Sequence, residues 1–235
     1  MTPCSADIII LSCHKYKNGD TSSGHTSGSW CNIKENFKDN LLFIFSGNEN
    51  QEKLFEYNES MKELSIRTSD EYDNIPTKTW LAYCYWFYHI LNKKPHLITF
   101  GDDCTLMDEK LFINSKFNGI DYGGNCIHYG STWINNWHQT KVKTSSHQYN
   151  KISPRPNINT NWVHEGAGVV FSQYAIECLL KKHKLYQDSM QLDIDNFTKY
   201  VWDTCWYNDV LLSHEFAELN IIIKPVEYFG ITGDK

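Results

Sequence analysis

Short and almost uninterrupted apolar runs recur along the first hundred residues, and each is followed by a polar or glycine-containing turn. The runs at 7–12, 41–47 and 96–100 are rich in β-branched and aromatic residues, which is typical of strands buried on both faces. A weaker run at 63–67 predicts another strand. An amphipathic segment at 75–93 predicts a helix that ends before Pro95. This alternation favours an α/β fold with a mostly parallel central sheet that helices cover on both faces.

The second half of the chain has a less regular pattern. Gly-, Tyr- and Trp-rich sequence at 118–137 predicts short strands and loops, and the polar stretch 140–161 predicts a mobile excursion. Further elements are predicted as follows: a strand at 169–171, a helix at 174–182 with Ser172 as its N-cap, a helix at 210–219 and a strand at 221–223. We therefore expect a smaller mixed sheet in the C-terminal half.

Composition narrows the class of protein. A chain of 235 residues with 41% hydrophobic residues can bury one substantial core, so a single domain over 1–235 is the simplest prediction. The net charge of −6 and the lack of a long basic run argue against a nucleic-acid partner. No signal peptide or membrane span is recognisable, so we expect a cytoplasmic or otherwise soluble protein, or a Golgi-lumenal one if an anchor has been removed. The eight cysteines form no CxxC pair, and free thiols are favoured over disulfides.

The first candidate functional residues lie at the end of the fourth predicted strand, where Gly101 is followed by Asp102 and Asp103. Ligands of parallel sheets bind beyond the carboxyl ends of the strands, and adjacent carboxylates suit a hard cation such as Mn²⁺ or Mg²⁺. A solvated turn explains the pair equally well. A Gly-Asp-Asp polymerase motif would belong to a much longer, basic chain. A phosphohydrolase would need an Asp-x-Asp motif near the first strand, and only Asp7 lies there.

Four segments, taken in order, resemble glycosyltransferase family 31, the fringe and β-1,3-galactosyltransferase group. Residues 70–79 (Asp-Glu-Tyr-Asp-Asn-Ile-Pro-Thr-Lys-Thr) are similar to that group's Asp-x-Tyr-x-Asn-Leu-Thr-x-Lys-Thr. The acidic pair follows about twenty residues later, as in the family. Residues 166–172 (Gly-Ala-Gly-Val-Val-Phe-Ser) resemble the fringe segment Gly-Ala-Gly-Phe-Cys-Ile-Ser, and 208–210 (Asn-Asp-Val) resemble Glu-Asp-Val. The resemblance spans residues 7–224. In its short length and diverged motifs, the chain looks like a minimal viral or microbial glycosyltransferase.

The resemblance implies a GT-A fold, with a nucleotide-sugar-binding half at 1–103 and an acceptor-binding half at 104–235. It implies transfer of a sugar, with inversion, from a nucleotide-sugar donor, most often a UDP-sugar, to a hydroxyl of a glycan or glycoconjugate acceptor. It also implies a divalent cation, Mn²⁺ before Mg²⁺. An alternative function is that of a catalytically inactive module that binds sugar or nucleotide.

The resemblance implies a role for individual residues as well. Asp103, with Asp102, is the expected metal ligand, and Asp209 is the expected catalytic base, although a carboxylate there also suits a helix N-terminus. The predicted donor-binding residues are Ser12, Asp70, Lys78, Gly101 and Asp102. The predicted acceptor-binding residues are Trp162, His164, Glu165, Gly166 and Gly168.

Two positions depart from the family pattern. Gly101 stands where the family has the first acid of an Asp-Asp-Asp motif. The family's C-terminal metal-binding histidine has no counterpart, since Tyr228 and Phe229 occupy that region. His214 lies five positions after Asp209, about 140° around a helix, and is not expected to share its face.

Overall fold

The computed structural model describes residues 5–18, 30–37, 40–71, 74–129, 161–185, 197–201 and 207–233. Its strands are β1 (Ala6–Leu11), β2 (Leu41–Gly47), β3 (Phe55–Asn58), β4 (Glu63–Ile66), β5 (His96–Gly101), β6 (Cys104–Leu106), β7 (Tyr122–Gly124), β8 (Ile127–His128), β9 (Trp162–Val163), β10 (Val169–Ser172), β11 (Ile223–Pro225) and β12 (Ile231–Gly233). Its α-helices are α1 (Trp30–Phe37), α2 (Ile75–His89), α3 (Glu109–Asn114), α4 (Gln173–Lys182) and α5 (Asn208–Glu218).

The fold is mixed α/β and is built on one eight-stranded sheet. The strand order is β11-β7-β10-β5-β1-β2-β4-β3. Strand β1 pairs in parallel with β2 and β5, and β2 pairs in parallel with β4, whereas β10 is antiparallel to both β5 and β7. The mostly parallel sheet predicted from the sequence is therefore confirmed, with β10 as an antiparallel strand in its interior.

The apolar runs form strands because both faces of the sheet are covered. Along β1, Ile9 points into one core together with α2, α4 and α5, whereas Ile8 and Ile10 point into a second core with α1 and α3. Side chains alternate between the faces of a strand, so a strand with a layer on each side must be apolar at every position. This is why β1 reads as Ile-Ile-Ile and shows no alternation of polar and apolar residues.

Most predicted elements are confirmed, including the Ser172 cap, whose hydroxyl accepts the N–H of Ala175 at 3.1 Å. Helix α2 ends at His89, four residues before the predicted end. The last predicted strand, 221–223, is displaced to Ile223–Pro225. Helices α1 and α3 and strand β3 were not predicted. Helix α1 does carry a helical pattern, since its buried residues Trp30, Ile33 and Phe37 lie on one face, whereas α3 and β3 are too short to show one.

The C-terminal half does contain small sheets, as predicted, but they are antiparallel pairs, β6–β12 and β8–β9, and not one mixed sheet. Strands β7, β10 and β11 join the large sheet. Strand β10 belongs in the centre because Val170 faces one core while Val169 and Phe171 face the other. A strand with apolar residues on both faces is stable only between two layers.

The predicted excursion at 140–161 lies, except for Asn161, outside the described residues. The six cysteines that the structure describes are free thiols, as predicted. In the described part of the chain, no helix is both long and apolar enough to cross a bilayer.

A buried ionic cluster joins α4 to α5. Glu215 is fully buried, and its carboxylate accepts hydrogen bonds from Lys182 Nζ at 2.6 Å, His183 Nε2 at 2.7 Å and Tyr200 Oη at 2.5 Å. Burial by itself would raise the pKa of Glu215, but the bonds from His183, Lys182 and Tyr200 outweigh it and lower the pKa from 4.5 to about 2. This carboxylate is therefore ionised at neutral pH.

We expect Glu215 to make the fold sensitive to acid. A carboxylate whose pKa is depressed on folding stabilises the protein above its unfolded pKa, and this stabilisation is lost as the pH falls from about 4.5 to about 2. A shift of this size corresponds to about 3 kcal/mol in the free energy of unfolding. Urea denaturation between pH 7 and pH 2.5 measures the effect.

The control for acid sensitivity is the Glu215→Gln variant, which cannot titrate. It should be less stable at pH 7 and show a flatter dependence on pH, whereas Glu49→Gln, at an exposed position, should behave as the wild type. An equal acid slope in Glu215→Gln and wild type would contradict this role.

Candidate functional site

The candidate site lies at the carboxyl edge of the sheet, between β1 and β5. These parallel strands are neighbours, with Leu11 opposite Gly101. From β1 the chain continues to β2 on one side, while β5 lies on the other. Such a reversal of strand order leaves a crevice at the carboxyl ends, which is where ligands of open α/β sheets bind. Ser12 and Asp102 are the first residues beyond the two strand ends.

Ser12 and Asp102 are joined directly across this crevice. The Ser12 hydroxyl donates to Asp102 Oδ2 at 2.5 Å and accepts the indole N–H of the buried Trp30 at 2.7 Å. The backbone N–H of Asp102 donates to the Leu11 carbonyl at 3.0 Å. Asp102 is thus held in place by a hydrogen bond to β1 and, through Ser12, by Trp30 of α1.

The two acids of the pair have different surroundings. Burial raises the pKa of Asp102 to about 6, opposed by the Ser12 hydrogen bond and assisted by the charge of Asp103. The Asp103 carboxylate is partly exposed and lies over Gly101, where a Cβ would come within 2.5 Å of Asp103 Oδ1. Glycine at 101 therefore leaves the space that the Asp103 carboxylate occupies.

Asp70 and Lys78, predicted as donor-binding residues, form an ion pair at the strand ends, in which Asp70 is partly exposed. Lys78 is fully buried, and its ammonium donates to Asp70 Oδ1 at 2.6 Å and to the Ser12 carbonyl at 2.9 Å. Asp70 also accepts the backbone N–H groups of Gly47 at 2.7 Å and His14 at 2.6 Å. The pair ties together the ends of β1 and β2. Donor binding by these residues stays a prediction.

The antiparallel direction of β10 brings a second group of residues to the same edge. Because Val169 pairs with Thr99, β10 begins where β5 ends, and the turn Glu165–Ala167 lies beside the acidic pair. Gly168 follows that turn with φ +88°, and a Cβ there would meet the Phe229 ring at 2.7 Å. Glycine is required at this position by backbone conformation and by packing.

Glu165 in this turn faces the N-terminus of α5. Asn208 Nδ2 donates to Glu165 Oε2 at 2.8 Å, and the Glu165 N–H donates to Asp209 Oδ2 at 3.3 Å. Glu165 is buried, whereas Asp209 is partly exposed. The two carboxyl groups lie close together, and burial raises the pKa of both.

Of the two acids, Glu165 is the one whose surroundings favour the protonated form most strongly. Burial, and then the charge of Asp209, raise the pKa of Glu165 well above its ordinary value. Burial also raises the pKa of Asp209, but His164 and the Glu165 N–H oppose this. Glu165 Oε1 is buried and has no hydrogen-bond partner among the described residues, which a neutral carboxyl group tolerates better than a carboxylate. Glu165 therefore favours the protonated form more strongly than the partly exposed Asp209 does.

The acidic pair and the Glu165–Asp209 pair are within electrostatic reach of each other. The charge of Asp103 contributes to the raised pKa of Glu165. Burial, followed by the charge of Asp103, raises the pKa of Cys104, and Asp102 and Glu165 contribute further. The carboxyl groups of both pairs thus converge on one region at the sheet edge.

The remaining predicted acceptor residues occupy different positions around this region. Trp162 is fully buried in β9 and stacks on the His128 ring with centroids 4.3 Å apart. Its ring therefore packs in the protein interior and offers no exposed surface to an acceptor. His164 is partly exposed and directly precedes Glu165. Gly166 lies within the 165–167 turn. Sequence reasoning assigned no role to Trp30 or Asn208, although Asn208 lies within the 208–210 segment that carries the family resemblance.

No protein-family model matches this chain, and no curated protein is significantly similar to it. The assignment of function therefore depends on the geometry at the sheet edge.

Proposed function

We propose that this protein is a metal-dependent inverting glycosyltransferase of the GT-A type that uses a nucleotide-sugar donor. The observation that carries the proposal is the convergence of two carboxyl pairs at the switch point of the sheet. Asp102 and Asp103 follow β5, while Glu165 and Asp209 come from the turn before β10 and from α5. The interior antiparallel strand supports the proposal, since it brings the second pair to the edge where a donor would bind.

The residues fit a divalent cation at Asp103. Carboxylate oxygens are the ligands that Mn²⁺ and Mg²⁺ prefer, and the Asp103 carboxylate is partly exposed in the space left by Gly101. Asp102, held by Ser12, would support this ligand. A cation bound there would neutralise the diphosphate of the donor and stabilise it as a leaving group.

Asp209 would activate the acceptor. Its ionised carboxylate removes the proton from an acceptor hydroxyl as that oxygen bonds to the anomeric carbon. The bond from this carbon to the diphosphate oxygen breaks on the opposite face, and the nucleoside diphosphate leaves with the electron pair. Glu165 keeps its proton and, with its backbone N–H, orients the Asp209 carboxylate.

A screen of nucleotide-sugars by thermal shift, with and without Mn²⁺, tests donor binding. A ligand at 100 times its Kd stabilises the folded state by about 2.7 kcal/mol, which for a chain of this size raises Tm by roughly 5 to 10 °C. We expect such a rise only with Mn²⁺ and a nucleotide-sugar together. If no nucleotide-sugar produced it, the proposal would be wrong.

An assay of donor hydrolysis on the same protein distinguishes an active transferase from an inactive binding module. Gly101 in place of an acid is the feature that favours a module without activity. A transferase should slowly hydrolyse the donor that the screen identifies, in the presence of Mn²⁺ and excess protein. Donor binding without hydrolysis or transfer would instead support the module.

A further inference from the structure

We propose that Cys126, His128 and His164 form a binding site for one zinc ion, separate from the carboxylates at the sheet edge. One ligand atom from each residue lies within 4.8 Å of the others. The proposal does not depend on the transferase activity.

The register of β8 and β9 explains why these three side chains meet. Ile127 pairs with Val163 and His128 with Trp162, and the His164 N–H continues the ladder to the Cys126 carbonyl at 2.9 Å. Cys126 and His164 therefore face each other across the strands. Residues two apart on a strand point to the same face, so His128 lies on the same face as Cys126.

The distance between two of the ligand atoms suits a tetrahedrally coordinated ion. Zinc–sulfur bonds of about 2.3 Å and zinc–nitrogen bonds of about 2.0 Å at the tetrahedral angle separate the two ligand atoms by roughly 3.6 Å. Cys126 Sγ and His128 Nε2 are 3.4 Å apart. Closing the site around an ion therefore requires only small side-chain movements.

Neighbouring rings already orient the ligands. The His128 ring stacks on Trp162 at an interplanar angle of 20°, and the His164 ring lies edge-on to both His128 and Trp162. All three ligand residues are partly buried, so part of the cost of desolvating the ligand atoms is met during folding, before the ion binds. Fixed rings lose little entropy on coordination, which favours a preformed site.

The ligand set selects the metal. One thiolate and two imidazoles prefer a borderline-soft ion such as Zn²⁺ to the hard cations that carboxylates bind. Three protein ligands leave a fourth position for water. Another group, His214, Glu215 and Glu218, is a poorer candidate because Lys182 and His183 already neutralise its acids.

Zinc at this site would stiffen the turn that follows His164. It would crosslink β8 to the end of β9, one residue before Glu165. The ion is thus expected to stabilise the fold around the Glu165–Asp209 pair.

Titration of the reduced protein with Co²⁺, a spectroscopic substitute for Zn²⁺, tests the site. We expect a thiolate-to-cobalt charge-transfer band that saturates at one Co²⁺ per chain and disappears when one equivalent of Zn²⁺ is added. Binding of Co²⁺ to carboxylates alone gives no such band. Absence of the band in the wild-type protein would overturn the proposal.

Variants identify the ligands. Cys126→Ser should lose the band, and His128→Gln and His164→Gln should each weaken Co²⁺ binding at least about 10-fold. Cys31→Ser and His89→Gln, at exposed positions, serve as matched controls and should keep both band and affinity. Persistence of the band in Cys126→Ser, or its loss in Cys31→Ser, would contradict the assignment.

A measurement on the wild-type chain guards against misfolded variants. Alkylation of Cys126, located by peptide mass spectrometry, should slow when Zn²⁺ is present, while alkylation of Cys31 should not change. Equal modification of Cys126 with and without Zn²⁺ would refute the site.

Discussion

Replacing Asp209 by asparagine should lower the rate of sugar transfer by about 10³-fold, the usual range for a lost general base. Asparagine has nearly the shape of aspartate, and its amide oxygen can still accept the Glu165 N–H that now bonds to Asp209 at 3.3 Å. The fold and the donor site should therefore persist. The amide cannot take a proton from the acceptor hydroxyl, so the transfer step should be lost while donor binding is kept.

Steady-state transfer assays, together with donor titration by calorimetry, separate these effects. We expect kcat to fall while the Kd of the donor in Mn²⁺ stays within a factor of about 2 of the wild type. Glu49→Gln, an exposed acid-to-amide change, should change neither quantity. Near-full activity in Asp209→Asn would show that another group is the base.

Asp103→Ala should have the second large effect, on binding. Removing the partly exposed carboxylate takes away the expected ligand of the cation, and donor affinity in Mn²⁺ should fall by roughly 100-fold. The difference between donor binding with and without Mn²⁺ should also vanish. Calorimetric titration of the donor with and without Mn²⁺ measures both.

Two further variants sharpen the Asp103 result. Gly101→Ala places a methyl group 2.5 Å from Asp103 Oδ1, which is too close, so it should displace the carboxylate and weaken Mn²⁺-dependent binding to a smaller extent than Asp103→Ala. Glu49→Ala should leave binding unchanged. If Asp103→Ala bound the donor as tightly as the wild type, with the same Mn²⁺ dependence, the acidic pair would not be the metal site.

The parallel part of the sheet could be predicted from local pattern because its strands are buried on both faces. Strands β1, β2 and β5 are apolar at nearly every position, and such runs admit few other structures. Asp102 and Asp103 were placed at a strand end by the same reasoning. The antiparallel direction of β10 was not predictable, because pairing partners far apart in sequence leave no local signal.

The two carboxyl pairs illustrate the same difference within the site. Asp209 was a candidate through its resemblance to a family motif, and Glu165 only through the glycines that follow it. The raised pKa of Glu165 depends on burial and on the nearby charge of Asp209, and neither can be read from the motif. Cys126 and His128, two residues apart on one strand, carried a weak signal that became a cluster only when β9 supplied His164.

The amino-acid sequence by itself determined which segments become the buried strands, and therefore that Asp102 and Asp103 stand at the end of one of them. Hydrophobic patterning specifies this much because it acts over a few neighbouring residues. Only the tertiary structure decided that Glu165 and Asp209 lie at the same edge, that Gly101 leaves room for Asp103, and that Lys78 is buried beneath the strand ends. These facts depend on contacts between distant segments, and such contacts exist only once the sheet has formed.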